Sequence, residues 1–391
     1  MHGPSDKSDK NKHGNFMKIA VNTIFLQKDR LEGYGYFVQE IFRRLTLKYP
    51  EHLFYFLFDR EYDSQFIFSE NIQPVMIPPS ARHALSFRYW YDVSLSLALR
   101  KIKPDIVIQP FGFCSMTTRY KQILVVHDLA FLHFPGFIAR QHLWYYKWFT
   151  ESFIKKANRV VTVSVFSEND IKAHYPAAIG KTDVVFSAAK ENFHPITYTR
   201  QQQVKVQYAE GCEYFLFVGG IHPRKNLMQL LKAFSLFKKW QKSNMKLLVA
   251  GRLAWKYDTL LEKLETYKYR KDVIMLDYLE ESELAAIMGS AYALVFPSYF
   301  EGFGAPIIEA MQCEIPVITS NTSSMPEIGG DAALYSDPDN ADSIAKQMIQ
   351  LYKDENLRNS LIEKGKIQAA KFSWDITADL FWESMQQAVN S

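Results

Sequence analysis

Short apolar runs alternate along the chain with longer stretches in which apolar residues recur every three or four positions. In the first half the runs are KIAVNTI, LFYFLF, IQPVMI, DIVIQP, QILVVHD and RVVTVS. The stretches between them include YFVQEIFRRLTLKY and FRYWYDVSLSLALRKI. Short runs bounded by turn residues predict strands, and the periodic stretches predict amphipathic helices. Strands that alternate with helices predict a parallel sheet with helices on both faces. The pattern pauses at the polar segment TYTRQQQVKVQYAEGC and restarts. YFLFVGG, KLLVAGR, DVIMLDY, ALVFPSY, PVITSN and AALYSD are then the strands, with LMQLLKAFSLFKKWQ and ADSIAKQMIQLYKD among the helices. An α/β chain of two Rossmann-like domains in tandem, joined near residues 196–212, is the economical architecture.

The expected division is residues 1–16 as a disordered or added tail, 17–200 as the first Rossmann-like domain, 201–372 as the second, and 373–391 as a C-terminal helix. That helix, SWDITADLFWESMQQAV, opens on the capping residue Ser373 and carries Trp374, Ile376, Leu380, Phe381 and Met385 on an apolar side. It either packs within the second domain or crosses back to the first. The opening MHGPSDKSDKNKHGNF has no apolar core and does not read as a signal peptide.

Composition narrows the classes. A length of 391 residues exceeds what one core usually serves. The apolar share of 48% and charged share of 23% are those of a globular protein. A net charge of +4 does not indicate a nucleic-acid binder. Cys114, Cys212 and Cys313 lack metal or redox spacing and read as thiols of a reduced, cytoplasmic protein. No segment has the roughly 18 consecutive apolar residues of a membrane span.

In open α/β sheets ligands bind beyond the carboxyl ends of the strands, so the strand-to-helix turns are where chemistry is sought. Four stand out. LEGYGYFVQEIF places Gly33 and Gly35 before a helix, where a phosphate can approach, but Val38 replaces the third glycine of a dinucleotide fingerprint. LVVHDLAFLHFP places His127 and Asp128 just past a strand. His127 there serves a ligand or is a satisfied structural histidine, and His133 reads as structural. FLFVGGIHPRKNLMQLLKAF ends a strand at Gly219-Gly220 and opens a helix with Arg224, Lys225 and Asn226. Two cations at a helix N-terminus oppose its dipole and call for a compensating anion. This is no Walker loop, because the glycine spacing is absent.

The fourth turn, YFEGFGAPIIEAMQC, carries Glu301 and Glu309 eight positions apart. Gly302 and Gly304 permit close backbone approach. The amides of Phe303, Gly304 and Ala305 are candidates to face a phosphate, with Pro306 in the first helical turn. Glu309 would point at a ribose-sized partner, and Glu301 would sit nearer the reacting atoms. A hydrolytic pair of carboxylates is the alternative, but it has no need of a neighbouring glycine turn and basic segment. SDPDN has the Asp337–Asp339 spacing of some metal sites. With Pro338 inside it, a turn and helix cap is the better reading.

These residues together resemble the group 1, family 4 retaining glycosyltransferases of the GT-B fold. The likeness runs from Met17 onward and is most specific in PSYFEGFGAPIIEAMQCEIPVITSNTSSMPEIGGDAALYSDPDN. FVGGIHPRKNLMQLLKAF, VVHDLAFLHFP and VVTVSVFSENDI are similar to family segments too. The resemblance implies that Glu301 and His127 contact the donor sugar and Glu309 the ribose. Arg224 and Lys225 would bind the diphosphate, and Gly35 would admit it on the first domain's side. VAGRLAW, ending at Trp255, and LDYLEESEL, with Leu279, would border the base. Where Gly220 stands many relatives carry arginine, and Arg224 would supply that cation from a neighbouring position.

The implied reaction moves a hexosyl unit from a nucleotide diphosphate sugar, GDP-mannose or a UDP-hexose, to a saccharide or lipid-linked glycan, with no metal and no other cofactor. The aromatic and basic segments 137–159 and 80–92 would meet the acceptor or a membrane surface, or else supply core aromatics and solvated cations. Three rivals remain. An NAD enzyme fails on its glycines although Asp59 is available. A nucleotide-sugar epimerase shares the fold. A non-catalytic binder has no reason to keep Glu301, Glu309, Arg224 and Lys225.

Overall fold

A computed structural model describes residues 16–28, 31, 33–82, 84–252 and 267–391. The chain forms two sheets. The first holds β1 (Lys18–Asn22), β2 (Leu53–Phe58), β3 (Ile72–Met76), β4 (Ile106–Gln109), β5 (Lys121–Val125), β6 (Arg159–Thr162) and β7 (Thr182–Val184), in the order β3-β2-β1-β4-β5-β6-β7. The second holds β8 (Tyr214–Val218), β9 (Lys246–Ala250), β10 (Val273–Leu276), β11 (Ala293–Phe296), β12 (Val317–Ser320) and β13 (Ala333–Ser336), in the order β10-β9-β8-β11-β12-β13. The pairs of the second sheet are parallel, with Phe217 beside Val249 and Val295 beside Ile318.

Both orders reverse direction at the first strand of their half, the arrangement of a doubly wound nucleotide-binding sheet. Every strand read from the pattern is present. β7 is additional. Its three residues, Thr182, Asp183 and Val184, hold no apolar run, and it is recognisable only by its place in the sheet.

The helices that matter below are α1 (Gly33–Lys48), α2 (Arg140–Lys156), α3 (Val165–His174), α4 (Leu227–Gln241), α5 (Glu281–Met288), α6 (Ala305–Gln312), α7 (Met325–Gly329) and α8 (Trp374–Asn390). Gly33 and Gly35 were expected ahead of the first helix, but they lie in its first turn. A Cβ on Gly35 would stand 2.8 Å from Leu31 Cδ1 and 3.0 Å from the Phe25 carbonyl, so the turn itself demands glycine there.

Contacts divide the chain into two compact units. Unit 1 is Met1–Val125, Ser152–Val160 and Phe381–Ser391. Unit 2 is Val126–Glu151 and Val161–Leu380. This division differs from a boundary near residue 200, because residues 126–151 and 161–200 pack with the second half of the chain. Unit 1 is centred on aromatic rings: Phe42 meets Phe54, Phe56 and Phe381 edge-on at 5.7–6.3 Å, and Trp382 stacks on Tyr49 at 3.9 Å. Unit 2 buries Phe215, Phe217, Leu230, Phe234, Val249 and Ile318 around its sheet. α8 starts in unit 2, where Ser373 Oγ accepts the Ile376 amide and Trp374 donates to the Ala189 carbonyl, and it ends in unit 1. Ile376, placed on the apolar side by periodicity, is exposed, and Thr377 and Ala378 take the buried positions.

The carboxyl ends of β8 and β9 come unusually close. Gly251 has φ +150°, and a Cβ on it would stand 2.0 Å from the Gly219 carbonyl oxygen. Gly219 has φ +135°, and its missing side chain leaves room for the Lys225 methylenes, which a Cβ would meet at 3.4 Å.

Candidate active site

The segment after β8 is a 3-10 turn, Pro223–Lys225, and α4 begins only at Leu227, so Arg224 and Lys225 precede the helix rather than open it. His222 ties the turn at both ends. Its Nδ1 accepts the Arg224 amide at 3.2 Å, and its Nε2 donates to the Phe137 carbonyl at 3.0 Å. That pairing sets the neutral tautomer, and burial lowers the ring's proton affinity. Asn226, buried in the left-handed region at φ 63°, donates from its side-chain amide to the carbonyls of Pro297 and Pro338 at 3.0 and 2.7 Å. The turn is thereby fastened to the segment that follows β11.

That segment carries Glu301. Lys225 Nζ lies 2.8 Å from its Oε1, and Arg224 Nη1 lies 3.2 Å from its Oε2 and donates to the Phe300 carbonyl. Lys225 also sits 4.8 Å from the centre of the Phe296 ring. The anion that two adjacent cations call for is therefore, in this structure, Glu301 itself. Burial would raise the Glu301 carboxyl, but the charges of Arg224 and Lys225 outweigh it and hold the group at about 2.

Gly302 follows. A Cβ there would stand 2.3 Å from the His127 carbonyl oxygen, so its missing side chain is what brings the His127 loop against the Glu301 turn. His133 pairs with Asp170 at 2.9 Å and stacks on Phe300 at 4.9 Å. Gly304, at φ 97°, caps α6, with Ala305 and Pro306 its first residues. Phe303 is buried against Phe372 at 5.6 Å. Among the described residues the amides of Phe303, Gly304 and Ala305 make no hydrogen bond, which leaves the start of α6 as a cluster of free donors.

Glu309 lies one turn further along α6. It is 6% exposed, and among the described residues its carboxyl has no hydrogen bond or ion pair. Burial pushes it up to about 7. Lys190 and Lys225 oppose that rise and Glu281 adds to it. Glu281, in the first turn of α5, is held by Lys190 at 2.8 Å and Asn192 at 2.9 Å. Two glutamates eight residues apart thus have opposite electrostatics, one gripped by cations and one buried without a partner.

Of the residues singled out by sequence, Glu301, Arg224 and Lys225 meet directly, and Gly302 brings in His127. Gly220 is exposed at the end of β8, beside the Lys225 turn. Leu279 is half-buried just ahead of α5, next to Tyr278, whose ring carries the Arg252 guanidinium at 3.9 Å. Trp255 lies outside the described residues. Gly35 belongs to unit 1. Asp337 and Asp339 form a turn, with the Asp339 amide on Asp337 Oδ1 at 2.9 Å and Asn340 capping the next helix. Sequence reading passed over His222, Gly251, Ser164 and Glu327. The spacing in VSVFS and the carboxylate in PEIGG were the available signals.

Comparison with known proteins decides the family. Residues 199–368 match the family described as Glycosyl transferases group 1, and residues 33–187 match Glycosyltransferase Family 4. The O-antigen chain mannosyltransferase RfbU of Salmonella typhimurium is 30% identical over 264 residues, 65% of this chain and 68% of that protein. This chain belongs to the group 1 glycosyltransferases. The O-antigen chain mannosyltransferase B of Escherichia coli is 28% identical to this glycosyltransferase over 291 residues, 74% of this chain and 76% of that protein. Its fold is GT-B. A crystal structure of Anabaena Alr3699/HepE with UDP and glucose superposes with TM-score 0.73 at 14% identity, over 95% of this chain and 99% of that one. Among the described residues no helix of the glycosyltransferase is long and apolar enough to cross a membrane.

Proposed function

We propose that this glycosyltransferase moves a hexosyl unit from a nucleotide diphosphate sugar to a hydroxyl of a saccharide or lipid-linked glycan, with retention of anomeric configuration. The observation that carries the proposal is the placing of Arg224 and Lys225 on Glu301, immediately before the free amides of Phe303, Gly304 and Ala305. A diphosphate suits that arrangement, because it brings negative charge to two cations and acceptors to a helix N-terminus.

In this reading Glu309 accepts hydrogen bonds from the ribose hydroxyls, and Glu301 and His127 hold the sugar. Arg224 and Lys225 stabilise the charge that grows on the leaving diphosphate as the glycosidic bond breaks. The acceptor hydroxyl attacks from the face the diphosphate leaves, and its proton passes to the departing phosphate oxygen. Glu301, held at about 2, stays ionised throughout and does not serve as the proton donor. Charge neutralisation by two side chains means that the proposal needs no metal ion.

Mannose is the favoured sugar, because the relatives reported above are named mannosyltransferases. The acceptor side includes α2, where Trp144 and Trp148 are both more than half exposed and 5.5 Å apart, with Arg140 and Lys147 on the same helix. An aromatic pair with cations on one helix fits a peripheral position at the inner membrane face.

A thermal-shift panel of GDP-mannose, UDP-glucose and UDP-N-acetylglucosamine tests the donor. One of them at 100 times its Kd is expected to stabilise the protein by about 2.7 kcal/mol, and Lys225→Ala is expected to remove most of that shift. A panel in which none stabilises the wild type refutes the proposal. Conversion of the donor alone to an epimerised sugar nucleotide refutes it as well.

A further inference from the structure

Three successive carbonyls, those of Glu301, Gly302 and Phe303, are held by serine hydroxyls from two different elements. Ser164 caps α3, accepting the Ser167 amide at 3.0 Å, and donates to the Gly302 carbonyl at 2.6 Å. Ser167 Oγ lies 3.3 Å from both the Gly302 and His127 carbonyls. From the other side Ser324, at the start of α7, has its Oγ 2.9 Å from the Glu301 and Phe303 carbonyls, and Ser323 Oγ accepts the Glu301 amide at 3.0 Å. The two elements are themselves joined. Glu327 of α7 accepts the Val165 amide on Oε1 at 2.8 Å and the Phe166 amide on Oε2 at 2.9 Å.

α3, the catalytic turn and α7 therefore form a closed ring of polar contacts, and the Glu327 carboxylate is the member that joins α3 to α7. Its two oxygens match two free amides at a helix N-terminus, where a negative charge is favoured and its hydrogen bonds are charge-assisted. A glutamine at the same place accepts from one amide and turns an N–H towards the other.

We propose that Glu327 is a positioning residue for glycosyl transfer. It touches neither donor nor acceptor, but holds α3 so that Ser164 and Ser167 fix the Gly302 carbonyl, and with it the orientation of Glu301. This rests on the role given to Glu301 above.

Glu327→Gln and Ser164→Ala test it in two arms. Amide exchange of residues 299–305 in the full chain reads the ring without any donor. It is expected to quicken by about tenfold in both variants, the scale of one lost hydrogen bond in the ring, and unchanged exchange overturns the proposal. In the second arm, nucleoside diphosphate release from GDP-mannose is expected to show kcat reduced by about tenfold or more with KM within about threefold, because Arg224 and Lys225, outside the ring, are left in place. The double variant is expected to be no slower than Glu327→Gln alone, since both act through one carbonyl. A kcat retained in Glu327→Gln, or fully additive losses, overturns it. If wild type releases nothing from GDP-mannose, the function reading fails on that donor while the exchange arm still decides for or against the ring.

Discussion

Glu309→Gln is expected to make the protein more stable at neutral and alkaline pH while weakening its grip on the donor. The folded state holds the Glu309 carboxyl at about 7, against an ordinary value of 4.5. A carboxyl raised on folding binds its proton more tightly in the native state. Its favourable contribution is therefore complete below about pH 4.5 and is lost as the pH rises through 7. Above pH 7 the folded protein holds a buried, unpartnered carboxylate, at a cost of about 3 kcal/mol, from roughly 1.4 kcal/mol per pH unit of displacement. Glutamine is nearly isosteric and carries no charge, so it removes that cost. For a unit of about 250 residues the expected rise in Tm at pH 8 is about 6–12 °C, with little change at pH 5. Calorimetric unfolding of both proteins from pH 5 to pH 8 is the assay, with donor titration alongside. If the wild type shows no excess loss of stability over the variant between those limits, the burial argument for Glu309 is wrong. A variant that is stabilised at pH 8 yet binds donor as tightly as the wild type would remove Glu309 from the ribose.

Three other outcomes follow from the same geometry. Glu301→Gln leaves Arg224 and Lys225 without their counter-charge and is expected to cost about 3 kcal/mol of stability at pH 7, the scale of breaking a buried pair. Because the Glu301 carboxyl is depressed to about 2, that contribution is present above pH 4.5 and fades as the pH falls towards 2, so urea midpoints of wild type and variant should converge in acid. Turnover in the same variant should drop more than donor affinity, and equal turnover would take Glu301 out of the mechanism. Gly251→Ala should destabilise unit 2 by about 3 kcal/mol, since a methyl cannot share space with the Gly219 carbonyl at a φ of +150°; an unchanged urea midpoint would refute the close approach of the β8 and β9 ends. Trp144→Ala with Trp148→Ala should lower co-sedimentation with anionic phospholipid vesicles without altering donor binding, and unchanged sedimentation would leave α2 with no membrane role.

The hydrophobic pattern was enough to locate the strands and the four strand-end turns because both depend on local spacing. β7 escaped because its three residues have no apolar periodicity to display. The site was legible in its parts and not in its pairing. Arg224 and Glu301 are 77 residues apart, and nothing local says that the cations close on a carboxylate of their own chain. Glu327 and Val165 are 162 residues apart, and PEIGG reads in isolation as a short capped helix. Nothing local singles out Gly251, since only the tertiary approach of β8 makes a Cβ there impossible.

A pair of carboxyls displaced in opposite directions is also what a hydrolytic acid and nucleophile require, with one proton held near neutrality and one carboxylate fully ionised. Two features separate this pair from that use. Both oxygens of Glu301 are already engaged, one by Lys225 and one by Arg224, so the carboxylate is a fixed counter-charge rather than a free nucleophile. Glu309 owes its high value to burial in α6 near Glu281, an environment that a ligand with hydroxyl donors would relieve. Binding such a ligand stabilises the ionised form and brings the carboxyl down, which ties donor affinity to pH in a way that a proton-donating acid would reverse. An affinity for donor that rises from pH 6 to pH 8 belongs to a carboxylate accepting from ribose, whereas an affinity that falls over the same range belongs to an acid. The cations face the same choice. They neutralise Glu301, and in the proposed reaction they would also have to serve the diphosphate, leaving the Glu301 carboxylate less tightly held and able to accept from a sugar hydroxyl. The ion pair between Glu301 and the Arg224–Lys225 turn therefore neutralises a buried carboxylate, and in the proposed reaction it would supply that carboxylate to the sugar as the diphosphate takes a share of the cations.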